Sequence, residues 1–132
     1  MDPIEIKARR EALGLNQEEM AAILGVKQIT VSHWETGLRK PRDPADVALR
    51  LAQIEEIQEK IIDDLCELAE HSSGVRDTPE VVLRTYRTND AYWEADAEAR
   101  ENGWPAVLHR SAGAWARRIL EEDGIQARIA EW

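Results

Sequence analysis

The sequence predicts a mainly α-helical protein with an N-terminal bundle of short helices, a long connecting helix and a small C-terminal β-α-α-β unit. Apolar residues recur at helical spacing through most of the chain. Asparagine, aspartate and proline stand where helices would begin, and glycines stand where they would end. Only residues 80–87 and 125–129 have the β-branched or alternating composition of strands.

Length and composition set the class of protein. A chain of 132 residues makes one ordinary domain or two small ones, and we expect a division into residues 1–70 and 75–132. The single Cys66 excludes an internal disulfide and suits a reducing cytoplasm. No apolar run approaches the roughly 18 residues of a membrane helix, and no signal peptide is recognised. The sequence therefore predicts a soluble cytoplasmic protein without a cofactor.

The charge is distributed unevenly along the chain. The formal net charge is −9, which by itself argues against nucleic acid as a partner. Residues 1–43, however, carry seven basic and seven acidic side chains, so the whole acidic excess lies in residues 44–132. Since contact with phosphates needs only a local basic patch, the N-terminal third remains a candidate for binding DNA.

The first 43 residues predict three short helices. Asp2 and Pro3 begin the first helix, whose Ile4, Ile6 and Leu13 are expected to face the core. Asn16 begins the second, at residues 17–24, and Glu19 completes a capping box. Glycines end the helices, and the third helix is expected at residues 28–36. Two short helices joined by such a tight turn form a helix-turn-helix.

The same residues carry a family resemblance. The pattern Gln17, Ala21, Gly25, Val31 and Trp34 resembles the helix-turn-helix of phage Cro and repressor proteins and of the wider XRE-type regulators. The resemblance implies a DNA-binding fold in which Arg10 and Glu35 pair across the domain. Spacing alone places Val31 and Trp34 in the core.

The remainder of the chain predicts a long helix followed by the small unit. Asp43 and Pro44 begin the fourth helix, which can continue to about His71. Residues 72–74 then suggest a linker or tight bend. After the first strand we expect one helix over residues 90–101 and another from Pro105 to Gly124. Because two strands alone are marginally stable, they need a helical cover and a partner strand from a second subunit.

The C-terminal half contains the run from Leu83 to Arg87, then Tyr92 and Trp93, Trp104, and the run from Trp115 to Arg118. This arrangement is similar to the C-terminal half of small helix-turn-helix proteins of the anti-CRISPR-associated autorepressor type, which use this part to dimerise. The later apolar stripe of the fourth helix has no partner in the N-terminal half, so it packs on the C-terminal segment, on a second subunit or on both. Trp93, Trp104, Trp115 and Trp132 suggest either a stacking surface for single-stranded nucleic acid or packing in the core or a dimer interface. The acidic neighbours favour packing. The residues predicted at the dimer interface are Ile61, Leu65, Leu68, Trp93 and Trp115.

The third helix supplies the predicted DNA contacts. In a helix-turn-helix the second helix enters the major groove, and residues near its beginning contact base edges. The residues expected to contact bases are Gln28, Ile29, Thr30, Ser32 and His33. Glutamine can pair with adenine, and isoleucine can contact a thymine methyl group. The residues expected to contact phosphates are Gln17, Lys27, Thr36, Arg39, Lys40 and Arg42.

These patterns predict a sequence-specific repressor that binds double-stranded operator DNA as a homodimer. The resemblance implies that it regulates its own gene. The alternative is an antitoxin or adaptor whose acidic C-terminal half binds a partner protein. No enzyme is expected, because the sequence has no phosphate-binding glycine loop, no HExxH or GxSxG motif and no Cys/His metal spacing.

Overall fold

The computed structural model describes residues 1–75 and 80–132, with side chains up to His71 and from Glu80 onward. These described residues form seven helices and two strands, a mainly helical fold of the predicted class. In chain order the elements are α1 (Pro3–Ala12), α2 (Gln17–Leu24), α3 (Gln28–Thr36), α4 (Pro44–Val75), β1 (Val81–Thr85), α5 (Asn89–Ala95), α6 (Ala97–Asn102), α7 (Ala106–Glu122) and β2 (Ala127–Glu131). None of the described helices is long and apolar enough to cross a membrane.

The helix ends of the N-terminal bundle follow their predicted caps. The Asp2 carboxylate accepts a hydrogen bond from the amide of Ile4 (2.9 Å). Asn16 and Glu19 form the reciprocal capping box at the start of α2, with distances of 2.7 and 2.9 Å. Gly25 ends α2 in the left-handed conformation (φ 71°), which glycine adopts without steric cost. The predicted bounds of α2 and α3 are confirmed.

The N-terminal core forms between α1, α2, α3 and the first half of α4. Its buried side chains include Ile6, Leu13, Met20, Val31 and Leu51. The expectation that Ile4 faces this core is wrong, because 63% of Ile4 is exposed. Successive helical residues are about 100° apart, so Ile4 lies on nearly the opposite side of α1 from Ile6.

The long helix α4 joins two cores. Its first half contributes Val47, Leu51 and Ile54 to the N-terminal core. Its second half contributes Ala69, with Ile62, Leu65 and Cys66 partly buried, to a core shared with α7 and the strands. The predicted break at residues 72–74 does not occur, since their backbone continues α4 to Val75. Once a long helix is formed, each added residue gains a hydrogen bond, and two serines and a glycine do not suffice to end it.

The two strands pair in parallel, with Val81 opposite Ala127 and Thr85 opposite Glu131. The bounds of both strands differ from those predicted. β1 lies within the predicted residues 80–87 but is shorter, and β2 begins and ends two residues after the predicted 125–129. The helix predicted over residues 90–101 is divided at Asp96, whose backbone is extended (φ −131°, ψ 106°). The Asp96 carboxylate accepts from the amide of Ala99 (3.0 Å), so a side chain expected inside a helix instead begins α6.

Helix α7 connects the C-terminal half to the N-terminal bundle. Leu108 is fully buried in the N-terminal core. Ser111 donates its hydroxyl to the carbonyl of Leu13 (2.8 Å) and accepts from the amide of Gln58 (3.1 Å). The approach is close enough that a Cβ at Gly14 would lie 3.0 Å from the Cβ of Ser111. The division at residues 70–75 stays a prediction, and contacts of α7 cross it.

Candidate nucleic-acid interface

Helix α3 buries one side and exposes the other. Val31 is fully buried and only 7% of Trp34 is exposed, which confirms their place in the core. On the opposite side Gln28 is exposed, and 51% of the Ile29 surface is accessible to solvent. Thr30, Ser32 and His33 are half-buried. About half of the surface of Ile29 therefore faces solvent between polar neighbours.

A hydrogen-bonded chain links the first residues of α2 and α3 to the interior. The side-chain amide of Gln28 donates to that of Gln17 (2.7 Å). Gln17 in turn donates to the carboxylate of Glu35 (3.1 Å). Gln28 thus has one side-chain bond within the protein and keeps further donor and acceptor capacity for a ligand.

Glu35 is held by a buried ion pair. Arg10 donates Nε and Nη2 to the two carboxylate oxygens of Glu35, at 2.7 and 2.9 Å. Arg10 also donates Nη1 to the carbonyl of Leu15 (2.8 Å). Burial raises the pKa of the Glu35 carboxyl, but the hydrogen bonds from Arg10 and Gln17 outweigh burial, so this pKa lies below its ordinary value. The charge remains in place, and the predicted pairing of Arg10 with Glu35 is confirmed.

The basic segment between α3 and α4 lines a cleft of about 450 Å³. Thr30 and His33 of α3 open onto this cleft, so they lie nearer the basic segment than Gln28 does. The lining residues are Val26, Thr30, His33, Trp34, Arg39, Lys40, Arg42, Asp43, Asp46 and Val47. The three basic side chains are exposed, and they place positive charge beside the exposed side of α3. Asp43 and Asp46 offset part of that charge.

The other predicted phosphate contacts have different surroundings. Lys27 is exposed immediately before α3. The hydroxyl of Thr36 donates its hydrogen to the carbonyl of Ser32 (3.0 Å). In this arrangement the Thr36 oxygen can still accept hydrogen bonds. Gln17 is half-buried in the network described above.

The five predicted dimer residues do not lie on one uniform surface. Leu68 is 67% exposed and Trp115 is 44% exposed, with the Arg118 guanidinium over the Trp115 ring at 5.4 Å. Ile61 and Leu65 are half-buried on α4. Trp93 donates its indole N–H to the carbonyl of Trp104 (2.7 Å) and packs within its own subunit.

One part of the site was not anticipated from the sequence. Gln17 and Gln28 were expected to contact DNA separately, but they bond to each other. The only sequence signal was that each glutamine begins a helix of the helix-turn-helix. Arg50, whose guanidinium caps α2 by donating to the carbonyl of Leu24 (2.9 Å), carried no local signal at all.

Comparison with known protein families agrees with this geometry. The family model described as Helix-turn-helix matches residues 6–45, which span most of α1, all of α2 and α3, and the beginning of α4. The match supports an XRE-like, DNA-binding helix-turn-helix of transcription regulators, a class that is not enzymatic. No curated protein matches the chain.

Proposed function

With an XRE-like helix-turn-helix at residues 6–45 as the premise, we propose that this chain is a sequence-specific repressor that binds an inverted repeat as a homodimer and regulates its own synthesis. The observation that carries the proposal is the exposed side of α3. There an apolar Ile29 and a hydrogen-bonded Gln28 stand beside an exposed basic segment.

Base contacts are assigned to α3. Gln28 is held by Gln17 in one orientation, which reduces the entropy lost when it pairs with an adenine edge. Ile29 has the exposure and the apolar surface needed to contact a thymine methyl group. Ser32 belongs to the same part of α3, and Thr30 and His33 contact bases or phosphates next to the basic segment.

Phosphate contacts are assigned to the residues around α3. They are Gln17, Lys27, Thr36, Arg39, Lys40 and Arg42. Phosphate contacts position a protein on the duplex without reading its sequence. Because the chain as a whole is acidic, local positive charge must supply most of the electrostatic attraction.

The dimer supplies the second recognition helix. One helix-turn-helix contacts only a few base pairs, and a two-fold dimer places two such helices about 34 Å apart on half-sites of an inverted repeat. We assign the interface to the second half of α4 together with Trp115, whereas Trp93 donates to Trp104 of its own chain and packs there. The exposure of Leu68 supports this assignment. Autoregulation is proposed only from the sequence resemblance described above, and the family match at residues 6–45 does not extend to that half of the chain.

Selection of bound sites from random DNA duplexes tests DNA binding, symmetry and spacing in one experiment. The expected result is a short inverted repeat whose binding falls steeply with salt, while a scrambled duplex shows no preference. Recovery of no enriched sequence, or of one lacking two-fold symmetry, contradicts the proposal. Co-purification of a stoichiometric unrelated protein would favour the adaptor or antitoxin alternative.

The interface has its own test, since α4 offers two exposed leucines. Leu68→Glu is expected to yield monomers that bind the operator weakly, because a charge placed at the interface must be desolvated. Leu49→Glu, at a residue 58% exposed in the first half of α4, is the matched control and is expected to remain dimeric. Sedimentation velocity measures both variants. If Leu68→Glu remains a tight dimer, the interface does not include Leu68 and lies on another surface.

A further inference from the structure

A cavity of about 450 Å³ lies between α4, the sheet and the helices of the C-terminal half. None of its lining residues belongs to the helix-turn-helix. They come from α4, β1, α5, α6 and α7 and from the residues that follow these elements in the chain. This volume lies within the range of sites that bind small molecules.

One wall of the cavity is aromatic. The rings of Tyr86 and Tyr92 stack at 5.0 Å, and the ring of His109 meets both edge-on at 5.0 and 5.2 Å. Tyr92 itself is fully buried (1% exposed), so the tyrosine ring available to a ligand is that of Tyr86. Trp104 and Trp132 add two indoles. The faces of aromatic rings carry partial negative charge and attract cations, especially where water is partly excluded.

The rim of the cavity is acidic. Four carboxylates line the cavity, together with two basic side chains, Lys60 and Arg84. The carboxylates are Glu56, Asp64, Asp96 and Glu98, and none of them forms an ion pair with another side chain in the part of the chain that the structure describes. Arg84, one of the two cations, donates to the carbonyl of Glu131 (2.9 Å). Burial lowers the pKa of His109, so His109 adds no positive charge at neutral pH.

These features select one class of ligand. An anion would meet the carboxylates, and a neutral apolar molecule would leave them unused. A cation with an apolar body uses both the ring faces and the acidic rim. We propose that this cavity is a binding site for an organic cation, such as a quaternary or protonated amine attached to an apolar group. Binding of such a ligand is a property separate from the proposed DNA binding, and it can be tested without DNA.

The test uses two probes that differ only in charge. Benzyltrimethylammonium is titrated into the full chain by calorimetry, with the fluorescence of the tryptophans as a second readout. Neopentylbenzene, its neutral carbon analogue, is expected to bind at least about tenfold more weakly. Benzenesulfonate is expected not to bind. Equal binding of the neutral analogue or of the anion would overturn the proposal.

Variants separate the contributions of the rings and the rim. Tyr86→Leu is expected to weaken the cation about tenfold, while Tyr86→Phe, which keeps the ring, leaves it nearly unchanged. Asp96→Asn is expected to weaken it about fivefold and retains an oxygen to cap α6. Glu101→Gln, an exposed change of the same charge outside the cavity, is the control.

Asp64→Asn on α4 repeats the test at a residue that caps no helix, in case Asp96→Asn disturbs folding. If Glu101→Gln weakened binding of the cation as much as Asp96→Asn does, the effect would come from the net charge of the protein. That result would contradict a defined site.

Self-association is the competing occupant, because Ile61, Leu65 and Leu68 belong both to this cavity and to the proposed dimer interface. Titration at several protein concentrations distinguishes the two cases. Affinity for benzyltrimethylammonium that is the same in the monomer and the dimer supports a cation site. Binding that disappears as the dimer forms would show that a second copy of the chain fills the cavity.

Discussion

The surface around α3 and the surface of the rest of the chain differ in the kind of side chain that they expose. Around α3 the exposed side chains are mostly polar or basic, and hydrogen bonds through Gln17 connect one of them, Gln28, to a buried ion pair. In residues 44–132, which carry the whole acidic excess, large apolar side chains such as Leu68 and Trp115 remain exposed. The first kind of surface suits DNA, where positioned polar groups meet base edges and phosphates. The second suits a second subunit or a ligand with apolar surface.

The difference extends to what each end needs for its stability. The N-terminal bundle has capped helices and a core built mainly from its own side chains, to which α7 adds Leu108. The C-terminal half has two parallel strands and depends on α4 and α7 for its cover. Contacts of Ser111 and Leu108 then tie this half to the bundle. Substitutions in each half and at their junction should therefore differ in their effects on stability and on DNA binding.

The largest effect is expected from removing the buried partner of Glu35. Arg10→Met leaves a buried carboxylate without its cation and should lower the free energy of unfolding by about 3–5 kcal/mol. Arg9→Met is the neighbouring control. Its ion pair with Glu55 is more exposed, so its loss should cost about 1 kcal/mol or less. Urea denaturation measures both, and similar losses would show that the inner pair does not stabilise the bundle as described.

The junction between the halves is tested at Gly14. Gly14→Ala meets both a strained backbone (φ 78°) and the Cβ of Ser111, so we expect a loss of about 2–4 kcal/mol in the free energy of unfolding. Gly25→Ala has nearly the same φ (71°) and no heavy atom within 4 Å of the added Cβ. It should lose only about 1–2 kcal/mol. Thermal unfolding compares them. A difference near zero would mean that α7 can move away from α1 at no cost.

Base recognition is tested at Gln28. Gln28→Ala should lose about 1–3 kcal/mol of discrimination at one base pair in each half-site and leave the fold intact, because the side chain is exposed. Binding to duplexes substituted at each position gives the measurement. Gln53→Ala, at an exposed glutamine on α4, is the control. If Gln28→Ala lowers affinity equally for all sequences, or unfolds the protein, this side of α3 does not contact bases.

The pH dependence of stability should separate the two ends. Burial lowers the pKa of His109 from its ordinary 6.5, so the unfolded chain takes up the proton first and stability falls as the pH decreases below about 6.5. The pKa of Glu35 is also lowered, from 4.5, so its contribution is fully present above 4.5 and is lost as the pH falls further.

The slope from one proton cannot exceed about 1.4 kcal/mol per pH unit. Denaturation of the wild-type protein and His109→Gln at pH 7.0 and about pH 5.5 checks the sign. The variant should change less between these pH values. A larger loss in the variant would reverse the assignment.

The smallest effect is expected at Arg39. Arg39→Ala should weaken binding to every duplex alike and reduce the slope of the logarithm of affinity against the logarithm of salt by about 1. Arg100→Ala, an exposed arginine of the C-terminal half, is the control for charge. A change in sequence preference with Arg39→Ala would assign Arg39 to base contact instead.

Local chemistry made much of the N-terminal half predictable. Asn16, Glu19, Gly25 and Gly37 define helix ends through bonds and dihedral angles that depend on a few neighbouring residues. The same reasoning failed at Asp96, because an aspartate inside an alanine-rich run is compatible with helix interior and helix start alike. Only the packing of Tyr92 and Ala99 in their own small core decides between them.

Spacing within single helices was enough to predict the caps and the alternation of buried and exposed residues in α3. The pairing of Arg10 with Glu35 came from a resemblance over one contiguous segment of the sequence. Tertiary structure alone decided that Gln17 bonds to Gln28, that α7 packs on the N-terminal core, and that aromatic rings and carboxylates from distant segments line one cavity. Each of these joins residues far apart in the chain, and their meeting depends on how complete helices pack against one another.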